Sequence, residues 1–197
     1  MTRLSRDFFA RDTLAVARDL LGQRLVRVLS DGRRLTGRIV EVEAYVGEDD
    51  QASHASCGPT RRNAPMYGPP GHAYVYLIYG MHNCLNVVSE REGYPAAILI
   101  RALEPLEGIE EMRARRGGRP DLPLTSGPAR LCQSLGVDRR FDGADLCAPD
   151  ALLFLEEDAV VPDGAVATGP RVGVRGDEAA LTAPWRFHVR DNPHVSR

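Results

Sequence analysis

Arg38-Ile39-Val40-Glu41-Val42-Glu43-Ala44-Tyr45-Val46 alternates in polarity. In an extended chain successive side chains point to opposite faces. Val40, Val42, Ala44 and Val46 then share one face, and Glu41, Glu43 and Tyr45 share the other. The period predicts a strand. Strands favour β-branched and aromatic residues over Glu. Two carboxylates and a phenol on one face therefore mark either a solvated sheet surface or the wall of a site.

Upstream, residues 12–22 predict an amphipathic helix with Asp12 as N-cap, Leu14, Ala17, Leu20 and Leu21 as its apolar stripe and Gly22 as its stop. Leu25–Leu29 reads as a strand, and Ser30-Asp31-Gly32-Arg33 as the turn that returns the chain into residues 35–46. Downstream, residues 47–72 form a long connection without periodicity. They contain His54, Thr60-Arg61-Arg62-Asn63 and Pro69-Pro70-Gly71. A connection of that length inside a compact domain is functional or disordered. Ala73–Tyr79 and Cys84–Ser89 predict a hairpin with its turn at Gly80–Asn83, which puts Tyr79 and Met81 at or near the tip. Apolar side chains at a tip bury nothing within the chain, and such wedges enter base steps in minor-groove binders. Asn86 sits in the return strand, where a buried amide needs partners.

Ala96–Leu103 predicts another strand, with Arg101 breaking its apolar run; such an Arg pairs with an acid or a phosphate. Glu107–Arg116 reads as a charged helix and residues 117–124 as a loop. A second helix runs to Leu135, with Ser126 as N-cap, Pro128 in its first turn and Gly136 as stop. Ser126, Gly127 and Arg130 suit a phosphate at a helix N-terminus; capping alone explains the first two equally well. Leu152–Glu156, Ala165–Val174 and Trp185–Arg190 predict further strands. Residues 1–197 thus read as one α+β domain, a curved and mostly antiparallel sheet flanked by helices, with a protruding hairpin.

Composition narrows the function. Hydrophobic residues make up 43% and charged residues 26%, the balance of a soluble globular protein. Apolar runs are too short to span a bilayer, and residues 1–7 precede no apolar signal region, so a cytoplasmic protein is expected. Cys57, Cys84, Cys132 and Cys147 show no metal-ligand spacing, and neither a metal nor a cofactor is expected. The net charge of −2 argues against nonspecific coating of nucleic acid but allows a local basic face. All 25 Lys+Arg residues are Arg, so no side-chain amine can form a Schiff base.

Taken together, Glu41-Val-Glu-Ala-Tyr45, His54, Tyr74-Val-Tyr-Leu-Ile-Tyr-Gly80, Asn86, Arg101-Ala-Leu-Glu-Pro-Leu-Glu-Gly108 and Ser126-Gly-Pro128 carry a resemblance. In order and spacing they closely resemble the alkyladenine DNA glycosylase family, the 3-methyladenine DNA glycosylases of the eukaryotic and Gram-positive type. The resemblance runs from about residue 8 to Arg190–Ser196. It implies a hydrolase that flips alkylated or deaminated purines out of double-stranded DNA and releases them. It also implies Glu43 as general base, Arg101 beside the water, and Tyr45, His54, Tyr76 and Asn86 around the base. Tyr79, with Met81, would intercalate. Arg61, Arg62, Ser126, Gly127, Arg130 and Arg171 would meet the DNA backbone, and Glu41 would pair with an Arg. A monomer working on the bacterial nucleoid is expected. The tip departs from the pattern at His82, where related proteins often carry an aromatic.

Two rivals stay open at the level of sequence. A non-catalytic damaged-DNA-binding module would use the same wedge and arginines but leaves Glu43 unexplained. A sugar hydrolase using Glu41 and Glu43 is disfavoured, because same-face neighbours on a strand sit closer than an inverting pair requires.

Overall fold

The computed structural model describes residues 1–118 and 123–196, so the loop expected over 117–124 lies partly outside the described residues. Arg6–Phe9 form one helical turn (α1). Asp12 then caps Thr13–Leu20 (α2) by accepting from the Ala15 amide at 2.9 Å. Gly22, with φ +89°, turns the chain after it into Arg24–Val28 (β1). The decisive stretch lies in Arg34–Val46 (β2). Ala73–Ile78 (β3) and His82–Val88 (β4) form the hairpin, and Ala96–Glu107 (β5) follows. Next come Ile109–Arg115 (α3), Pro128–Leu135 (α4) and Leu153–Glu156 (β6). Val166–Gly169 (β7), Glu178–Thr182 (α5) and Arg186–Val189 (β8) complete the elements used here.

The strands form one eight-stranded sheet of order β3-β4-β5-β2-β1-β6, extended by β8 on β2 and β7 on β8. Every pairing between these strands is antiparallel. β2 is its centre. One edge pairs with β5, and the other pairs first with β1 and then, over Glu41–Glu43, with β8. This is the expected α+β domain. No helix among the described residues is long and apolar enough to cross a membrane.

One sheet face is the main core. Val42, Ala44, Ala73, Val75, Leu85, Val87, Ile98 and Ile100 pack there against Val16, Ala17 and Leu20 of α2 and Leu131, Cys132 and Leu135 of α4. The alternation that fills this face sends Tyr74, Val88 and Ala97 to the other, where they meet Ala55 and Met66 of the 47–72 connection. That connection is not featureless: His54–Cys57 and Ala64–Tyr67 are short 3-10 turns. It covers the face that carries the carboxylates, so the solvated-surface reading is overturned. Glu41 and Glu43 both have 0% exposure.

Several boundaries differ from expectation. The ladder slips at Ile39/Glu41 and again at Glu41/Val42, leaving Val40 on β2 and Arg101 on β5 without opposite partners. Val40 is buried but lies outside the main core cluster, so the one-face reading of Val40, Val42, Ala44 and Val46 fails at the bulge. β5 runs on to Glu107, which delays α3 to Ile109. The strand expected over 165–174 stops at Gly169, because the chain must leave the sheet to cover the carboxylates. The hairpin turn falls at Tyr79–Met81, with Ile78 paired to His82.

Candidate active site

The sheet register lines up the site. Tyr74 on β3 pairs with Asn86 on β4, Asn86 with Leu99 on β5, and Leu99 with Glu43 on β2. Strands lie about 4.8 Å apart, so one row across four strands carries an aromatic, an amide and a carboxylate on a single face. The rows on either side add Tyr76 opposite Cys84 on one and Tyr45 opposite Ala97 on the other. With His54 and Met66 above them, all of these but Ala97 line a cavity of about 420 Å³, within the range of small-molecule sites.

Glu43 is fully buried and fully partnered. Its Oε1 accepts from the Val172 amide at 2.6 Å and its Oε2 from the Tyr45 hydroxyl at 3.0 Å, with Arg101 Nη1 3.2 Å from Oε1. Glu41 has a different set. It accepts from Arg101 Nε at 3.0 Å, Arg186 Nε at 2.6 Å and the Ser196 amide at 2.7 Å. The expectation that Glu41 pairs with an Arg therefore holds twice over. Burial pushes the Glu41 carboxyl up, but the Arg101 charge and the hydrogen bonds from Ser196 and Arg186 outweigh it and hold the group below its ordinary value. Burial likewise lowers Arg101, and the Glu43 and Glu41 charges more than reverse that, so the guanidinium keeps its charge. The bulge supplies the geometry: an Arg displaced from the ladder reaches both carboxylates.

The rings of the aromatic wall contact one another. His54 Nδ1 lies 2.8 Å from the Tyr74 hydroxyl, and its ring meets Tyr76 edge-on at 4.5 Å. Tyr74 and Tyr76 are 5.4 Å apart. Burial, and then the Arg62 charge, lower His54, which keeps it neutral at physiological pH. Burial pushes Tyr74 up to about 12 and raises Tyr45 and Tyr76 strongly, the Glu43 charge adding to the shift at Tyr45. All of these groups are poor proton donors. Asn86 answers for its buried amide by donating Nδ2 to Tyr74 O at 3.0 Å, and it also lines the cavity.

Around the mouth, buried Asn63 ties the 60–63 turn to His54 O at 2.8 Å and Gly58 O at 2.9 Å. That turn leaves Arg61 and Arg62 exposed, with Arg62 over the Tyr76 ring at 5.4 Å. Tyr79 is 86% exposed and Met81 69% exposed at the hairpin tip, as expected. Ser126 is not the helix cap. Gly127 is, at φ +128°, and buried Ser126 instead donates to Val195 O at 3.1 Å. Arg130 is exposed and donates to Ser126 O at 2.9 Å. Arg171 cannot meet DNA, because its side chain has 0% exposure and is paired with Asp50. Sequence reading also missed Val172, Tyr74 and Arg186. No local signal marks Val172 and Arg186, which act on residues 129 and 145 positions away, whereas Tyr74 stands two residues before Tyr76 and shares its strand face.

The family profile described as methylpurine-DNA glycosylase matches residues 7–193. A Methanocella arvoryzae protein named "Putative 3-methyladenine DNA glycosylase" is 52% identical, the match covering 100% of this chain and 97% of that protein. Proteins with the same name from Streptomyces avermitilis and Alkaliphilus oremlandii are 50% and 45% identical, covering 99% of this chain and 91% and 99% of their own lengths. The chain therefore belongs to the methylpurine-DNA glycosylase family, DNA-repair hydrolases that act on the N-glycosidic bond of alkylated bases.

Proposed function

We propose that this chain releases alkylated purines, 3-methyladenine and 7-methylguanine among them, from double-stranded DNA, with Glu43 as the general base. The observation that carries the reading is a solvent-excluded carboxylate held by Val172, Tyr45 and Arg101 at the wall of an aromatic cavity. A base stacked in a duplex is out of reach, so it is flipped at a cost of a few kcal/mol. Tyr79, with Met81 beside it, fills the vacated stack. Tyr45, His54 and Tyr76 close on the flipped base, and aromatic faces favour an electron-poor cationic purine. Asn86 meets its edge.

Water oxygen attacks the sugar C1′ as the N-glycosidic bond breaks. Its proton passes to Glu43, and the bond electrons neutralise the cationic base as it leaves. Arg101 and Arg186 together balance the two carboxylates in charge, and Glu43 is the carboxylate that lines the cavity and faces the oxocarbenium-like centre. The products are a free base and an abasic sugar; no strand is cut. Arg61, Arg62 and Arg130 are among the exposed cations and are suited to the DNA backbone.

Single-turnover base release tests the reading. Glu43→Gln is expected to lose about 10²–10⁴ in rate and keep duplex binding; wild-type rates in that variant would refute it. Borohydride trapping of a covalent DNA complex would refute the water mechanism. Hypoxanthine must gain a proton to leave, and the neutral His54 and the raised tyrosines are poor donors. Its release is expected to be slower than that of 7-methylguanine, and equal rates would show an acid outside this set.

A further inference from the structure

The guanidinium of Arg171 is buried between two rings, 4.8 Å from the Tyr45 centroid and 4.9 Å from that of Trp185. It forms a two-pronged pair with Asp50, Nη1 to Oδ2 at 2.5 Å and Nη2 to Oδ1 at 2.8 Å. The remaining Nη protons go to Ala44 O at 3.0 Å and Ala180 O at 3.1 Å. Asp50 in turn accepts from the Val46 and Ala52 amides, at 3.2 and 3.1 Å. A buried ion pair of this kind is not required by packing. Replacing such a pair with apolar groups is often neutral or stabilising.

What it touches suggests its use. Ala44 lies between Glu43 and Tyr45 in the chain, and Arg171 grips its carbonyl. Tyr45, whose ring it covers, donates to Glu43 Oε2. Val172, the next residue, donates its amide to Glu43 Oε1. Two of the three groups that hold Glu43, and the backbone beside it, are thus fixed by one guanidinium. We infer that Arg171, locked by Asp50, is a positioning residue that sets the Glu43 carboxylate for water activation. The inference rests on the reading of Glu43 as base. Lys does not replace the planar fork, which makes paired hydrogen bonds and stacks on rings.

The test compares wild type, Glu43→Gln, Asp50→Asn, Arg171→Lys and the Asp50→Asn/Glu43→Gln double variant. Each is measured for single-turnover release of 7-methylguanine, affinity for the same duplex and thermal unfolding. Arg171→Lys keeps the charge pair and so guards against simple unfolding. Both Asp50→Asn and Arg171→Lys are expected to lose rate, by about 10²-fold where the geometry slips by an ångström, with duplex affinity unchanged. In the Glu43→Gln background the rate loss from Asp50→Asn should vanish while its loss of Tm persists. Full rate in both single variants, or affinity falling in step with rate, overturns the inference. A wild type that releases no base overturns the reading of Glu43 instead.

Discussion

Glu41 and Glu43 sit two positions apart on one strand face, and their neighbours separate their tasks. Glu41 faces two guanidiniums and an amide away from the cavity; Glu43 shares one guanidinium and lines it. Removing one member of a buried charge network strands the others, so Glu41→Gln is expected to cost about 3–5 kcal/mol at neutral pH, read by urea denaturation. The Glu41 carboxyl is held below its ordinary 4.5, burial opposing and Arg101 prevailing. The unfolded chain therefore binds this proton more readily than the folded one. Stability from Glu41 is complete above pH 4.5 and drains away as pH falls below it. Wild-type Tm should fall across that interval more steeply than that of Glu41→Gln; parallel slopes would show that the network does not depend on this charge.

At the scale of elements, the β3–β4 hairpin trades stability for reach. Tyr79 adopts φ +53° at the tip while 86% exposed. A non-glycine residue pays about 1–2 kcal/mol there, and glycine does not. Tyr79→Gly is expected to raise or hold Tm and yet weaken binding to a lesion duplex by about 1–3 kcal/mol, the worth of one aromatic–base stack. A variant that binds as tightly as wild type would remove Tyr79 from the DNA contact. The helix over Thr13–Leu20 and the strands flanking the first turn were legible because their faces repeat within a few residues. The paired irregularities at Val40 and Arg101 were not, because a bulge is a property of two strands in register. One residue's slip there aims Arg101 at both carboxylates.

For the whole molecule, a net charge of −2 must be reconciled with a polyanionic substrate. Part of the acid is neutralised within the fold: Glu41, Glu43, Asp50, Glu156 and Asp158 are each bound to arginine. Among the described residues Arg61 and Arg130 have no carboxylate partner and remain exposed, and Arg62 at the cavity mouth is likewise exposed. Duplex affinity should fall steeply with salt, and Arg130→Ala should flatten the log–log slope by about 1 without changing the single-turnover rate. An unchanged slope would take Arg130 off the phosphate backbone.

By itself the sequence determined the alternating strand, the Asp12-capped helix, the hairpin with its exposed tip and the set of residue types at the site. Those features arise between neighbours in the chain, where period 2 or 3.6 decides which side chains share a face. Only the tertiary structure decided that the carboxylate face is covered rather than wet. It alone joined Asp50 to Arg171 and Glu41 to Ser196, across 121 and 155 positions. It also moved Arg171 from the expected DNA face to the interior and turned Ser126 from a helix cap into a donor to Val195. The reason is physical: burial and ion pairing depend on which distant segments the sheet order brings together, and local periodicity carries no record of that.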